Sequence, residues 1–302
     1  MNLRTVLTPY ALLGALVGVF LVVLLLTASS STAAFSVFNP SWDGASGVQS
    51  VATDEDIETQ VALSTTTYRD VNPNETVAVV IGPRDTYTPT ELESIRAFVD
   101  AGGTLIVADD FGSGNQLLSG IGAEARLDER LLRDPQNYEV TTAMPFATVV
   151  ATDSAVSQAE TIQLNHGTVV EPANGTVLAR SSEFSYLDRD RDGEIDDDEP
   201  LEAHPVVVRE DYGAGQIVTV SDGSLFINAM LERSDNEAFT RGLLADASLV
   251  VLDTTHTSAS PPLQAALLTL RANTILQALV VLLVGGVGYV VPVRFLSRSE
   301  NQ

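Results

Sequence analysis

Thr76-Val77-Ala78-Val79-Val80-Ile81, closed by Gly82-Pro83, is the stretch on which the fold turns. A short continuous apolar run of this kind reads as a strand buried on both faces, and such strands sit in sheets covered by helices. Downstream, Thr88-Pro89-Thr90-Glu91 carries a helix start, with Thr88 as N-cap, Pro89 at the first helical position and Glu91 at the third. Leu92, Ile95, Phe98 and Val99 recur at helical spacing and supply an apolar face, and Gly102-Gly103 ends the helix. Thr104–Ala108 reads as the next buried strand. Asp109-Asp110-Phe111-Gly112-Ser113-Gly114 then turns into a second helix that starts near Asn115, with Leu117, Leu118 and Ile121 along it. Strand and helix in alternation imply a parallel sheet with right-handed crossovers.

Farther along, Pro205–Arg209 and Gln216–Val220 are joined by Tyr212-Gly213-Ala214-Gly215 and read as a hairpin. Helices are expected over Asp222–Met230 and Asn236–Leu244, and a last strand over Leu249–Leu252. The expected fold class is α/β: a doubly wound, mostly parallel sheet of flavodoxin-like type, carrying a less regular, β-rich insertion over residues 125–205.

Within that insertion lies the sharpest chemical signal, Asp188-Arg189-Asp190-Arg191-Asp192-Gly193-Glu194-Ile195-Asp196-Asp197-Asp198-Glu199. It matches the twelve-residue calcium loop of an EF-hand. Asp188, Asp190, Asp192, Asp196 and Glu199 fall where oxygen ligands are needed, and Glu194 falls where the loop gives a backbone carbonyl. Gly193 occupies the sharp turn, and Ile195 the place where an apolar side chain points inward. The expected cofactor is Ca²⁺, a hard cation that takes roughly six to eight oxygens. Pro200 stands where a second helix would begin, and Glu183–Leu187 alternates as a strand does. The expectation is a calcium-stapled loop between strands, not a sensor that opens.

The chain has 40 acidic residues against 16 basic ones, a net charge of -24, and no Lys. Nucleic acid is excluded as an ordinary partner, because no basic patch can neutralise phosphates. At about 1 M salt the Debye length is only about 3 Å, so dense carboxylates scarcely repel one another. The composition resembles that of halophilic archaeal proteins. With no Cys, disulfides and thiolate chemistry are excluded. His166, His204 and His256 form no metal-binding pair in sequence.

Val6–Leu26 and Thr274–Val293 contain no charged residue. Each is long enough for a bilayer core of about 30 Å, which takes roughly 20 residues. Arg4, Arg294 and Arg298 flank them on the sides expected to be cytoplasmic. The expected localisation is the cell membrane, spanned twice, with both termini cytoplasmic and the central domain extracellular. A cleaved signal peptide ending near Ala33-Ala34 is the rival, but signal apolar regions run about 7–15 residues. The expected organisation is an anchor (1–27), a tether (28–47), a central domain (48–260), a second transmembrane helix (274–293) and a tail (294–302).

Thr88–Leu92, Phe98–Asp110, Gly215–Met230 and the closing apolar helix resemble the DUF4350 family over most of residues 45–260. The resemblance implies a class I glutamine-amidotransferase-like fold on a membrane-anchored protein without assigned activity. It also implies other membrane proteins as partners, with a link to a MoxR-type ATPase system. Family members often carry an acidic-His segment after the last strand, and Leu252-Asp253-Thr254-Thr255-His256 is a reduced version of it.

That fold normally carries a Cys nucleophile at a strand-to-helix elbow, and this chain has none. Ser113 sits at a comparable turn without the G-x-S-x-G pattern. Asp109, Asp110, Asp222 and His256 fall near expected strand ends, where α/β sites form. The leading expectation is a non-catalytic accessory or interaction component of a membrane assembly. A surface hydrolase or transferase acting on carbohydrate or peptide, and an auxiliary subunit of an ABC-type exporter, are the alternatives. A pocket gathering Asp109, Ser113, Asp222 and His256 would favour the enzyme.

Overall fold

Residues 16, 19–20, 23, 30–152 and 155–257 are described by the computed structural model. The chain divides into two units, residues 1–31 with 260–302, and residues 32–259. In the first unit Leu16, Val19, Phe20 and Val23 are helical and exposed.

The second unit runs α1 (Gly47–Asp54), β1 (Glu58–Ala62), β2 (Thr76–Ile81), α2 (Pro89–Asp100), β3 (Thr104–Ala108) and α3 (Gly114–Ile121). There follow β4 (Arg126–Leu127), β5 (Leu131–Arg133), β6 (Phe146–Val149), β7 (Thr161–Gln163), β8 (Val170–Glu171), β9 (Thr176–Ser181) and β10 (Tyr186–Asp188). Last come β11 (Pro205–Tyr212), β12 (Gly215–Val220), α4 (Asn228–Leu231), α5 (Asn236–Leu244) and β13 (Leu249–Asp253).

Nine strands form one sheet in the order β1-β13-β2-β3-β12-β11-β9-β6-β7. From β1 to β12 the neighbours are parallel. From β12 onward every ladder is antiparallel, and so are the small pairs β5–β10 and β4–β8. The expected doubly wound, mostly parallel, amidotransferase-like sheet with a separate insertion is therefore corrected. The sheet is mixed, and among the described residues antiparallel ladders outnumber parallel ones. The reason is physical. An apolar run reports burial and is silent about the direction of its neighbour. The β11–β12 hairpin leaves an open edge on β11, and an open edge invites pairing. Residues 125–205 cover it with β9, β6 and β7 instead of folding apart.

Alternation along β2 explains its continuous apolar run. Val77, Val79 and Ile81 enter one core with Val48 of α1 and Phe239 of α5. Ala78 and Val80 enter the other with Ile95 of α2 and Leu117 of α3. Each large apolar side chain buried in this way contributes roughly 1.5–3 kcal/mol. At the start of α2, Glu91 Oε2 accepts from the Thr88 backbone N–H and hydroxyl, both at 2.7 Å. The helix expected over Asp222–Met230 is a 3-10 turn, Gly223–Phe226, followed by the short α4. Within the stretch expected as a tether, Ser36, Val37, Asn39 and Ala45 are buried. Asn228 fastens it, accepting from Gly47 N at 2.7 Å and donating to Ser41 O at 2.6 Å.

Among the described residues no helix is long and apolar enough to cross a membrane. The expected double-spanning cell-membrane localisation, with an extracellular central domain, is corrected on that finding. The two segments on which it rested, 6–26 and 274–293, lie outside the described residues apart from the four positions named above.

Candidate metal site

The acidic loop leaves β10 at Asp188 and ends at Glu199, before Pro200 and β11, with no helix on either side. Its turn needs left-handed backbone: Gly193 has φ 82 and Arg191 φ 63. Gly193 meets that need without a Cβ penalty. The carboxylates organise the loop by accepting from nearby backbone N–H groups. Glu194 N donates to Asp192 Oδ1 at 2.8 Å, Arg189 N to Glu199 Oε1 at 2.7 Å, and Gly193 N to Asp188 Oδ2 at 3.2 Å.

Asp188 is fully buried and Glu199 is 3% exposed, whereas Asp190, Asp192, Glu194 and Asp196 are exposed. Oxygens of Asp188, Asp190 and Asp192 lie within 4.8 Å of one another, and so do oxygens of Asp190, Asp196 and Glu199. Two oxygens bound to one calcium at about 2.3–2.6 Å lie at most about 5 Å apart. Each half-set therefore suits an ion, and Asp190 is common to the two. Asp188 Oδ1 is buried and has no hydrogen-bond partner, a costly condition for a charged oxygen unless something else satisfies it. Local desolvation, and then the charges of Asp190, Asp192, Glu199 and Asp198, push the Asp196 carboxyl above its ordinary value. Ile195 departs from expectation. It is 48% exposed and does not point inward.

Arg133, at the end of β5, has no counterpart in the sequence reading. Its Nε donates to Asp188 Oδ2 at 2.5 Å, and its Nη1 to Thr142 Oγ1 at 3.0 Å. Only the short ladder that sets Arg133 opposite Tyr186 brings it there, and no motif announces it. A cleft of about 390 Å³ adjoins the loop, lined by Arg189, Asp198 and Glu199 together with Asp128, Arg130 and His204. Burial holds the His204 imidazole below its ordinary pKa. On another side, the Arg191 guanidinium lies over the Phe111 ring at 4.4 Å and ties the loop to the turn after β3.

The strand-end residues are occupied otherwise. Asp109 Oδ2 accepts from Gly112 N at 3.1 Å and Gly114 N at 2.7 Å, and burial raises its carboxyl to about 6. Asp222 accepts from Asn165 N at 2.5 Å and Ser224 N at 2.7 Å, and burial raises it to about 7. Asp110 accepts from Phe111 N at 2.7 Å and is also raised by burial. Ser113 Oγ donates to the Arg84 carbonyl at 3.0 Å. His256 Nε2 lies 3.2 Å from Glu91 Oε1, and its ring packs on Tyr87 at 4.1 Å. Asp109, Asp110, Ser113 and Asp222 are engaged by their own surroundings, His256 Nε2 is buried beside Glu91 without a hydrogen bond, and the cleft beside the loop is lined by none of Asp109, Ser113, Asp222 and His256.

The family model for the domain of unknown function DUF4350 matches residues 37–244. No curated protein matches the chain. Solved structures similar to it include the mmIFT52 N-terminal domain, at 15% identity and TM-score 0.45, over 59% of this chain and 77% of that one. Another is the cytoplasmic protein STM3548 from Salmonella typhimurium, at 14% identity and TM-score 0.42, over 68% and 85%. A third is the β-galactosidase from Bacillus circulans sp. alkalophilus, at 14% and 0.34, over 63% of this chain and 30% of that one. Likenesses of this size bear on no activity.

Proposed function

The chain belongs to the DUF4350 family, and from that premise we propose that it is a calcium-stapled, non-catalytic interaction module. One ion is held by Asp188, Asp190, Asp192, Asp196 and Glu199, with Glu194 giving its backbone carbonyl. The observation that carries the reading is the fully buried Asp188, whose Oδ1 has no hydrogen-bond partner at the head of a loop with calcium spacing. The ion stiffens the loop, which has strands and no helices to move. Phe184, Ile195 and Leu201 are exposed on and beside it, and with the adjoining cleft they give a protein partner both apolar and charged contact. The non-catalytic part of the reading is supported by Ser113, whose proton goes to a carbonyl and not to a base. The Lys-free acidic composition supports work in concentrated salt.

Hydrogen exchange with and without millimolar calcium tests the proposal. Protection should rise over residues 186–200 and stay unchanged in β2 and β3. Equal exchange across the loop in both conditions would refute it.

A further inference from the structure

Asp188 is already held by a cation that belongs to the chain. We propose that Arg133 sets both the affinity and the charge selectivity of the acidic loop: its guanidinium competes with the bound ion for Asp188, so that a divalent ion is accepted and a monovalent one is not. The proposal rests on the calcium reading above.

The geometry is specific. The β5–β10 ladder places Leu131 opposite Asp188 and Arg133 opposite Tyr186. From there the Arg133 side chain, 18% exposed, reaches the fully buried Asp188 carboxylate. Thr142 Oγ1 accepts from Nη1 at 3.0 Å and fixes the guanidinium. The same guanidinium lies 3.6–3.7 Å from where a Cβ on Gly193 would stand. It therefore covers the turn of the loop as well as its first carboxylate. Asp188 Oδ2 accepts from both Arg133 and Gly193 N, while Oδ1 has no partner. An oxygen of Asp188 lies within 4.8 Å of oxygens of Asp190 and Asp192.

Two consequences follow from the charges. Without a counter-charge, a fully buried carboxylate is strongly disfavoured. Arg133 supplies that charge and aims the carboxylate. An ion at the loop must then share Asp188 with a positive neighbour. A sodium ion brings no more charge than the guanidinium does, so it gains little over the arrangement already present. A calcium ion brings twice that charge to the same carboxylates, and this surplus attraction offsets the repulsion from Arg133. In concentrated sodium chloride such a device leaves the loop to the divalent ion.

The test is calorimetric titration of calcium into the full-length chain after chelation, for the wild type, Arg133→Gln and Thr142→Val. Each is measured in sodium chloride and in tetramethylammonium chloride at equal ionic strength, so that competition is separated from screening. Arg133→Gln should bind calcium about tenfold tighter, a step of about 1.4 kcal/mol. Its affinity should be weaker in sodium than in tetramethylammonium, whereas the wild type should show the same affinity in both. Thr142→Val, which only loosens the guanidinium, should shift affinity in the same direction by less, and it serves if Arg133→Gln does not fold. Equal or weaker affinity in both variants, with wild-type binding intact, would overturn the role of Arg133 and leave the calcium loop standing. Absence of binding in the wild type and both variants would overturn the two readings together.

Discussion

Two sets of carboxylates sit in this protein under opposite terms. At the C-terminal end of the parallel strands, Asp109 and Asp222 are buried; Asp109 accepts two backbone N–H groups from its own turn, and Asp222 accepts one from its own turn and one from Asn165. In the loop 188–199, carboxylates converge until oxygens of three residues share a 4.8 Å neighbourhood, and one buried oxygen has no protein partner. The first arrangement spends acceptor capacity on the fold. The second holds it in reserve and so points at a ligand. Burial and a raised pKa alone would have ranked Asp222 first as a functional residue; Asp188 accepts as many hydrogen bonds, but both fall on Oδ2 and leave its buried Oδ1 without one, whereas Asp222 uses both oxygens.

The largest expected effect separates the two regions outright. The double substitution Asp188→Ala, Asp192→Ala should abolish calcium binding in a direct titration and leave the Asp222 contribution to the pH dependence of stability in place. Asp222→Ala should do the reverse. It orphans the N–H groups of Asn165 and Ser224, at about 1–3 kcal/mol for a buried unsatisfied donor. Chemical denaturation measures that loss, and calcium affinity should not move. If Asp222→Ala weakened calcium binding, the division between the regions would fail.

A subtler difference lies in pH. Asp222 goes from an ordinary 3.8 to about 7 in the folded chain, and Asp109 from 3.8 to about 6. Both bind their proton more tightly when folded. Stability supplied by the protonated forms is therefore present at low pH and is lost as pH rises through the folded values. The slope is at most about 1.4 kcal/mol per pH unit for each group. Denaturation curves between pH 4.5 and 8 for wild type and Asp222→Asn should differ by the Asp222 contribution, with the variant flatter. An identical slope in both would place the pH dependence elsewhere. The smallest effect is expected for Ser113→Ala. It removes one hydrogen bond to the Arg84 carbonyl, worth about 0.5–1.5 kcal/mol, and should leave calcium binding untouched.

Much of this contrast was written in the sequence, but unevenly. Thr76–Ile81, the Thr88-to-Glu91 helix start and Asn236–Leu244 were legible because local propensity and burial agree there. Strand direction was not legible, since β9, β6 and β7 are short and take their place only from the open edge of β11. The gathering of the loop's carboxylates was legible because their spacing is local. Arg133 was not, because it meets Asp188 across 55 residues of chain. Ile195 misled in the other direction: loop spacing suggests a buried side chain, yet with no flanking helix there is nothing for it to pack into.

Calorimetric titration of calcium into the chelated full-length chain tests the central claim most directly. The expected result is one ion per chain with a Kd of roughly 10⁻⁴–10⁻³ M, lost in the Asp188→Ala, Asp192→Ala variant. No binding at millimolar calcium, or unchanged binding in that variant, would contradict the account.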